Sequence, residues 1–280
     1  MPASRFQLTH EMRYAYDRPV RLSPQRLHLR PAAPVDHIVD YRLHLSPTPQ
    51  QQYVLEDVYG NPETRLLFTD PVAELTLRVE LTAVLHPRNP FGFTVEPYAA
   101  TLPFAYPPET AAALQPYRLL TEALPFSAQL AGPQVETSPR RTVDFLVALN
   151  QQVAELIAYE VRTEAGVQPC ALTLERRRGS CRDSAWLMVQ LLRQRGLAAR
   201  FVSGYLIQQE AEGAAELHAW AEAYVPGAGW VGLDTTSGLL TAEGHIRLAG
   251  APGAAATMPL IGTSEAVEAR LEHRVAIKQV

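Results

Sequence analysis

The sequence contains little of what marks a secreted, membrane or nucleic-acid-binding protein. Its 280 residues include two cysteines, too few for a disulfide framework, and we expect Cys170 to be structural. No run approaches the ~18 apolar residues of a membrane span, and Met1–Tyr16 lacks the apolar stretch of a secretory signal. A net charge of −4 offers no broad basic surface for nucleic acid. We therefore expect a cytoplasmic protein that binds neither nucleic acid nor a membrane.

The first part of the chain has the two-residue periodicity of β-strands. The clearest strand covers 74–82, where every second residue is apolar (Leu75, Leu77, Val79, Leu81). A turn signal, Gly60-Asn61-Pro62, separates two further short strands. A proline-rich connector with interleaved aromatic residues follows over 87–116. This pattern predicts an N-terminal antiparallel β-sandwich-like domain with its connector, residues 1–110.

The second part of the chain changes to a mixed helical and strand pattern. Apolar residues at helical spacing predict an amphipathic helix over about 140–159. A second helix and three strand-like runs follow, the runs covering 199–208, 216–225 and 230–234. The fold class is therefore predicted as α+β, with a second domain at residues 111–280.

The most informative motif is Gly179-Ser180-Cys181-Arg182-Asp183. Ser180 and Asp183 have the spacing of a capping box, and an apolar run follows them. The pattern predicts a helix over about 181–195 with Cys181 as its first residue. Unpaired backbone N–H groups and the helix dipole favour the thiolate there, and the thiolate is the nucleophilic form. The alternative is a buried cysteine that packs as a small apolar side chain.

His218 and Asp234 are the strongest candidates for groups that assist this thiol. A reactive cysteine needs a base and usually a third group that orients the base. His218 begins one strand of a predicted hairpin, and Asp234 ends the other. If Val225 pairs with Gly229, the two side chains lie on one face as diagonal neighbours. A shift of one residue points His218 to the opposite face, which would leave it a structural histidine.

Other residues near the motif allow more than one interpretation. Four arginines could stabilise the thiolate or bind a substrate carboxylate, or they could form a solvated charged loop (Arg176, Arg177, Arg178, Arg182). His245 is a second histidine candidate, next to the site or on the substrate side. A zinc site of Cys, His and Asp lacks a fourth ligand at suitable spacing, so we predict no metal ion and no cofactor.

Several segments together resemble the transglutaminase-like core: Gly179–Trp186, Ala199–Tyr205, His218–Trp220 and Gly229–Asp234. With Tyr59-Gly60-Asn61 and Asn89-Pro90-Phe91, the chain most closely resembles bacterial transglutaminase-like proteins that have a β-rich N-terminal domain. The resemblance implies a papain-like fold in which the nucleophile helix packs on an antiparallel sheet. It also implies roles: Cys181 as nucleophile, His218 as base and acid, and Asp234 as the group that orients His218.

The chain departs from this family at two places. Thr235 stands where relatives often have proline, and the Ala/Gly-rich segment 246–262 lacks the Gly-Arg-Asp-Tyr run of many relatives. The sequence around Cys181 also lacks the papain-type signature, so peptidase activity is not inherited from papain.

Taken together, these features predict a cysteine hydrolase, a peptidase or amidase that acts on a peptide or protein substrate. Cys181 would attack an amide, form a thioester and receive proton assistance from His218, with water as the acceptor. The alternatives are a protein-glutamine transamidase and a non-catalytic peptide-binding module. The backbone N–H of Cys181 is the predicted oxyanion donor. The resemblance further implies a pathway partner of the ATP-grasp type.

Overall fold

The computed structural model describes residues 3–33, 37–122, 124, 140–208 and 214–280. The strands are β1 (Ser4–Val20), β2 (Gln25–Leu27), β3 (Ile38–Ser46), β4 (Gln51–Glu56), β5 (Pro62–Leu67), β6 (Val72–Leu85), β7 (Thr101–Leu102), β8 (Arg140–Arg141), β9 (Ala158–Tyr159), β10 (Arg178–Gly179), β11 (Ala199–Gln208), β12 (Ala214–Val225), β13 (Gly229–Asp234), β14 (Leu239–Leu240), β15 (His245–Ala251), β16 (Leu260–Ile261) and β17 (Ala269–Gln279). The α-helices are α1 (Pro108–Ala113), α2 (Gln115–Arg118), α3 (Thr142–Leu156), α4 (Cys170–Arg176) and α5 (Cys181–Gln194), with 3-10 turns at Pro97–Ala99 and Ala254–Thr257. Within these ranges, no helix has both the length and the apolar content needed to cross a bilayer.

The predicted N-terminal antiparallel β-sandwich is confirmed. One sheet has the strand order β17-β1-β6-β3, and a second has the order β16-β2-β5-β4. The alternating residues of β6 are buried, as period-2 burial of one strand face requires (Leu75, Leu77, Val79, Leu81). Leu27 and Leu66 of the second sheet belong to the same apolar core. The two sheets therefore bury their inner faces against each other.

The end of the chain returns to the first sheet. Strand β17 pairs antiparallel with β1, and Phe6 lies opposite Gln279. Strand β16 pairs in the same sense with β2 of the second sheet. The domain division at residue 110 stays a prediction, and both ends of the chain contribute strands to the N-terminal sandwich.

The second part of the chain builds a sheet with the order β14-β13-β12-β11-β15. Helix α5 packs on this sheet, and its apolar face shares a core with Ala219, Ala221 and Ala223 of β12. The small alanine side chains allow the helix to approach the strands closely. Helix α3, shorter at both ends than predicted, adds its apolar stripe to the same core (Leu146, Leu149, Val153). This helix-on-sheet layer carries the candidate site.

Side-chain hydrogen bonds connect the N-terminal sandwich to this sheet. The tip of the β4–β5 hairpin turns at Gly60, whose φ of 75° suits glycine. Asn61 then pairs with Gly250 of β15, donating from Nδ2 to its carbonyl (3.1 Å) and accepting its N–H at Oδ1 (2.8 Å). Tyr205 of β11 also reaches His10 of β1, with 3.0 Å between its hydroxyl and Nδ1. The Tyr-Gly-Asn motif is thus a structural contact between the two regions.

The proline-rich connector is ordered by one buried aromatic residue and includes helices that its composition did not indicate. Tyr106 donates its hydroxyl to the carbonyl of Tyr224 (2.8 Å) and accepts the N–H of Ala198 (3.0 Å). Phe91 and Tyr98 remain about half exposed. Helices α1 and α2 follow, and α1 begins at Pro108, which supplies no N–H to the first turn.

Candidate active site

Helix α5 begins at Cys181, as the capping box predicts. Ser180 precedes it in an extended conformation. The Oδ2 atom of Asp183 accepts hydrogen bonds from the N–H and the hydroxyl of Ser180, both at 2.8 Å. These bonds satisfy groups that the helix itself leaves unpaired. The thiol is therefore placed at the first turn of a helix whose start is closely fixed.

Asp183 is a buried centre of four hydrogen bonds rather than a surface cap. Its side chain is fully buried, and Oδ1 accepts the N–H of Gln168 (2.7 Å) and Nη1 of Arg162 (2.6 Å). Burial raises the pKa of this carboxyl, but the hydrogen bonds from Gln168, Ser180 and Arg162 outweigh it, and the pKa lies below its ordinary value. The carboxylate thus joins the loop before α4, the residue before α5 and a nearly buried guanidinium.

The charged partner of Asp183 was not among the four arginines singled out from the sequence. Arg162 takes this place, 21 residues upstream, and its side chain is nearly buried. Arg182 instead donates to the carbonyls of Arg162 and Glu164, both at 3.1 Å. The other three arginines are exposed (Arg176, Arg177, Arg178). Only a non-local contact brings Arg162 to the site, so the spacing of residues could not have indicated it.

The hairpin of β12 and β13 has the register that places His218 beside Asp234. Val225 pairs with Gly229, and the pairing continues to Ala221 opposite Leu233. His218 and Asp234 therefore share one face, and His218 Nε2 lies 3.1 Å from Asp234 Oδ1. Both side chains are almost completely buried. The alternative register, in which His218 points away, is excluded.

The thiol of Cys181 completes the group. Cys181 lies beside His218, close enough for its thiol to raise the pKa of the imidazole, and it is partly exposed, whereas Cys170 is buried. Because Nε2 of His218 is bound to Asp234, Nδ1 is the ring nitrogen available to exchange a proton. Nδ1 makes no hydrogen bond of standard geometry with the described residues and lies 3.4 Å from Oε1 of Glu216. The structure thus brings all three predicted site residues together.

The charges in this group stabilise one another. Burial lowers the pKa of His218, but its interactions with Asp234, Cys181 and Glu216 exceed this effect and raise the pKa well above its ordinary value. Burial raises the pKa of Asp234, but hydrogen bonds from His218 and His245 lower it far below its ordinary value. The arrangement therefore favours a carboxylate at Asp234 and an imidazolium at His218.

Two more side chains belong to the site. His245, at the start of β15, places Nε2 at 3.2 Å from Asp234 Oδ2. Tyr159 lies opposite Gly179 in the parallel pairing of β9 and β10, two residues before Cys181. Its side chain is half exposed; burial first, and then the charge of Cys181, raise the pKa of its phenol. The sequence left the role of His245 open and gave no signal for Tyr159.

The two histidines and the carboxylate are also the side chains that could hold a metal ion. Among the described residues, the ligand atoms of His218, Asp234 and His245 lie within 4.8 Å of one another. Hydrogen bonds from both rings to Asp234 already occupy these atoms. A metal ion would have to displace the protons that both rings donate to Asp234. The donor set fits an acid–base relay better than a resident metal.

Two family models match separate parts of the chain. The model of the bacterial transglutaminase-like N-terminal region matches residues 6–84, and that of the transglutaminase-like superfamily matches residues 128–235. The second match contains Cys181, His218 and Asp234. The predicted resemblance to bacterial transglutaminase-like proteins is confirmed.

Proteins similar to this chain share most of its length. Uncharacterized proteins of Mycobacterium tuberculosis and Mycobacterium bovis are 28% identical over 264 residues, covering 86% of this chain and 82% of theirs. The crystal structure of a candidate cysteine protease from Cytophaga hutchinsonii is similar over 100% of this chain and 92% of its own. Its TM-score is 0.65 at 18% identity. This similarity confirms the predicted α+β fold with a transglutaminase-like, papain-like core.

Proposed function

We propose that the protein is a cysteine hydrolase that cleaves amide or peptide bonds through a thioester on Cys181. The observation that carries this proposal is the grouping of three side chains: the imidazole of His218 is hydrogen-bonded to the buried carboxylate of Asp234 and lies beside the partly exposed thiol of Cys181. A nucleophile, a base and an orienting group within hydrogen-bonding reach are the requirements of covalent acyl transfer.

In the first half of the reaction, the thiolate of Cys181 attacks the carbonyl carbon and a C–S bond forms. The negative charge moves to the carbonyl oxygen, where the Cys181 N–H at the start of α5 would donate a hydrogen bond. The C–N bond then breaks, and the amine leaves with the proton that His218 carried on Nδ1. Asp234 keeps the imidazole of His218 oriented while the ring loses its positive charge.

In the second half, water attacks the thioester and His218 accepts its proton. The C–S bond breaks, a carboxylic acid leaves, and Cys181 and His218 regain their starting state. Water and a substrate amine would resolve the thioester by the same steps. We propose water as the acceptor. His218 has a nitrogen that can accept the proton of water beside the partly exposed thiol of Cys181. The charged side chains near this group, Arg162 and Arg182, are held in contacts with the protein.

The thioester gives this proposal a direct test. Wild-type protein is incubated with a library of N-acylated dipeptide amides, quenched in acid and analysed by intact and peptide mass. We expect an acyl adduct on the Cys181 peptide that neutral hydroxylamine removes, as it removes thioesters. Hydrolysis in H₂¹⁸O should place one ¹⁸O in the released acid.

Matched cysteine variants serve as controls for this test. Cys170→Ser should keep the adduct and the turnover, because this thiol is completely buried and out of reach of a substrate. Cys181→Ala should abolish both. Turnover that persists in Cys181→Ala would overturn the proposal, and an amide product formed with an added primary amine in place of the acid would assign transamidation instead.

A further inference from the structure

We propose that His245 is a positioning residue for the reaction: it holds the second oxygen of Asp234 and thereby fixes the orientation of His218. The inference rests on the thiol chemistry proposed above. It is carried by a separate observation, the contact of two histidines with the two oxygens of one buried carboxylate.

The hydrogen bonds of His245 determine which of its nitrogens carries the proton. The backbone N–H of Ala242 lies 3.2 Å from Nδ1 of His245. A backbone N–H can only donate, so Nδ1 is the acceptor and the proton of the neutral ring lies on Nε2. Nε2 lies 3.2 Å from Asp234 Oδ2, which accepts the hydrogen bond. His245 is therefore a donor set in place by the backbone of its own loop.

The two oxygens of Asp234 have different partners. Oδ1 accepts a hydrogen bond from Nε2 of His218 and another, at 2.9 Å, from the N–H of Thr236. Oδ2 accepts a hydrogen bond from Nε2 of His245. Without His245, the carboxylate would keep one oxygen bound and leave the other buried without this donor, which is costly for a charged group. Rotation of the carboxylate toward another donor would then carry the ring of His218 with it.

Neighbouring residues hold the ring of His245 itself. Trp220 meets it edge-on, with ring centroids 5.3 Å apart and an interplanar angle of 84°. Trp220 in turn packs over Gly204, where an added Cβ would lie 2.5 Å from the indole ring. Glycine at 204 thus leaves the space that the indole needs beside His245. The indole of Trp220, the N–H of Ala242 and the carboxylate of Asp234 together hold the ring of His245, as residues that orient a catalytic group need to be held.

The test measures the alkylation rate of Cys181 by iodoacetamide, which requires no substrate. We expect His245→Leu to slow alkylation about tenfold, since a hydrogen bond to a charged group is worth about that factor. His245→Gln should stay within about threefold of wild type, because its amide nitrogen can donate to Oδ2 from a similar position. Circular dichroism and thermal unfolding of each variant report whether the fold is retained.

A double-mutant cycle separates positioning from general structural damage. If His245 acts through Asp234, His245→Leu should add less than about twofold to the effect of Asp234→Asn, because coupled residues are not additive. An unchanged rate in His245→Leu, an equal loss in His245→Gln, or a full tenfold loss on the Asp234→Asn background would each overturn the inference. If wild-type Cys181 reacts no faster than glutathione, the proposed function fails instead.

Discussion

Replacing Asp183 by alanine should lower the free energy of unfolding by about 3–5 kcal/mol, the usual cost of removing one partner from a buried ion pair. The substitution leaves the guanidinium of Arg162 nearly buried without its carboxylate. It also removes the acceptor for the N–H groups of Gln168 and Ser180. The loss concentrates at the start of α5, so we expect the position of Cys181 to be disturbed along with stability.

Chemical unfolding followed by circular dichroism measures this effect, with Asp144→Ala as the matched control. Asp144 is also an aspartate in the first turn of a helix, but it is exposed and lies 3.9 Å from Arg141. An exposed pair of this kind contributes about 0–1 kcal/mol. Equal losses in the two variants would contradict the structural role assigned to Asp183.

The effect of Asp183 should depend on pH in a defined direction. Its pKa in the folded protein lies below the ordinary value, so its contribution is present above the unfolded pKa and is lost as the pH falls through the folded pKa. The difference in stability between wild type and Asp183→Ala should therefore be constant near neutral pH and shrink below about pH 4. A difference that grows on acidification would contradict this assignment.

His218→Gln should slow thioester formation by about 10²–10⁴-fold, the range expected for loss of general acid–base catalysis. Glutamine can still donate to Asp234, so the hydrogen bond at that end of the side chain is retained. What it lacks is a nitrogen that accepts and returns a proton. Alkylation of Cys181 by iodoacetamide should fall to within about threefold of glutathione, because the imidazolium no longer stabilises the thiolate.

The control for His218→Gln is the same exchange at an exposed position. His44 lies on β3, with its side chain 56% exposed and 3.5 Å from Glu80. His44→Gln should leave thioester formation and alkylation unchanged. Rates in His218→Gln that match those of wild type would show that His218 is not the base.

Features set by neighbours along the chain could be predicted from the sequence. The start of α5 depends on Ser180 and Asp183, three residues apart, and a local capping box specifies it. The short turn allowed two registers, and the structure has the one in which Val225 pairs with Gly229, which unites His218 with Asp234. The strands of the sandwich followed from period-2 alternation, which reflects the burial of one strand face.

Features set by contacts between distant segments could not be predicted in this way. The pairing of β17 with β1 joins segments about 260 residues apart, and the sequence of neither strand indicates which strand it pairs with. The contact of Arg162 with Asp183 and that of His245 with Asp234 arise only when the β9 segment and β15 reach the site. A strand pattern reveals which face is apolar but leaves open which neighbour covers it.

The most direct test of the central claim is the reactivity of Cys181 itself. The measurement is its second-order rate constant with iodoacetamide at pH 6, compared with that of glutathione under the same conditions. A free thiol with a pKa of about 8.5 is less than about 1% thiolate at this pH. We expect the rate constant of Cys181 to be about a hundredfold larger than that of glutathione. A rate equal to that of glutathione would contradict its assignment as the nucleophile.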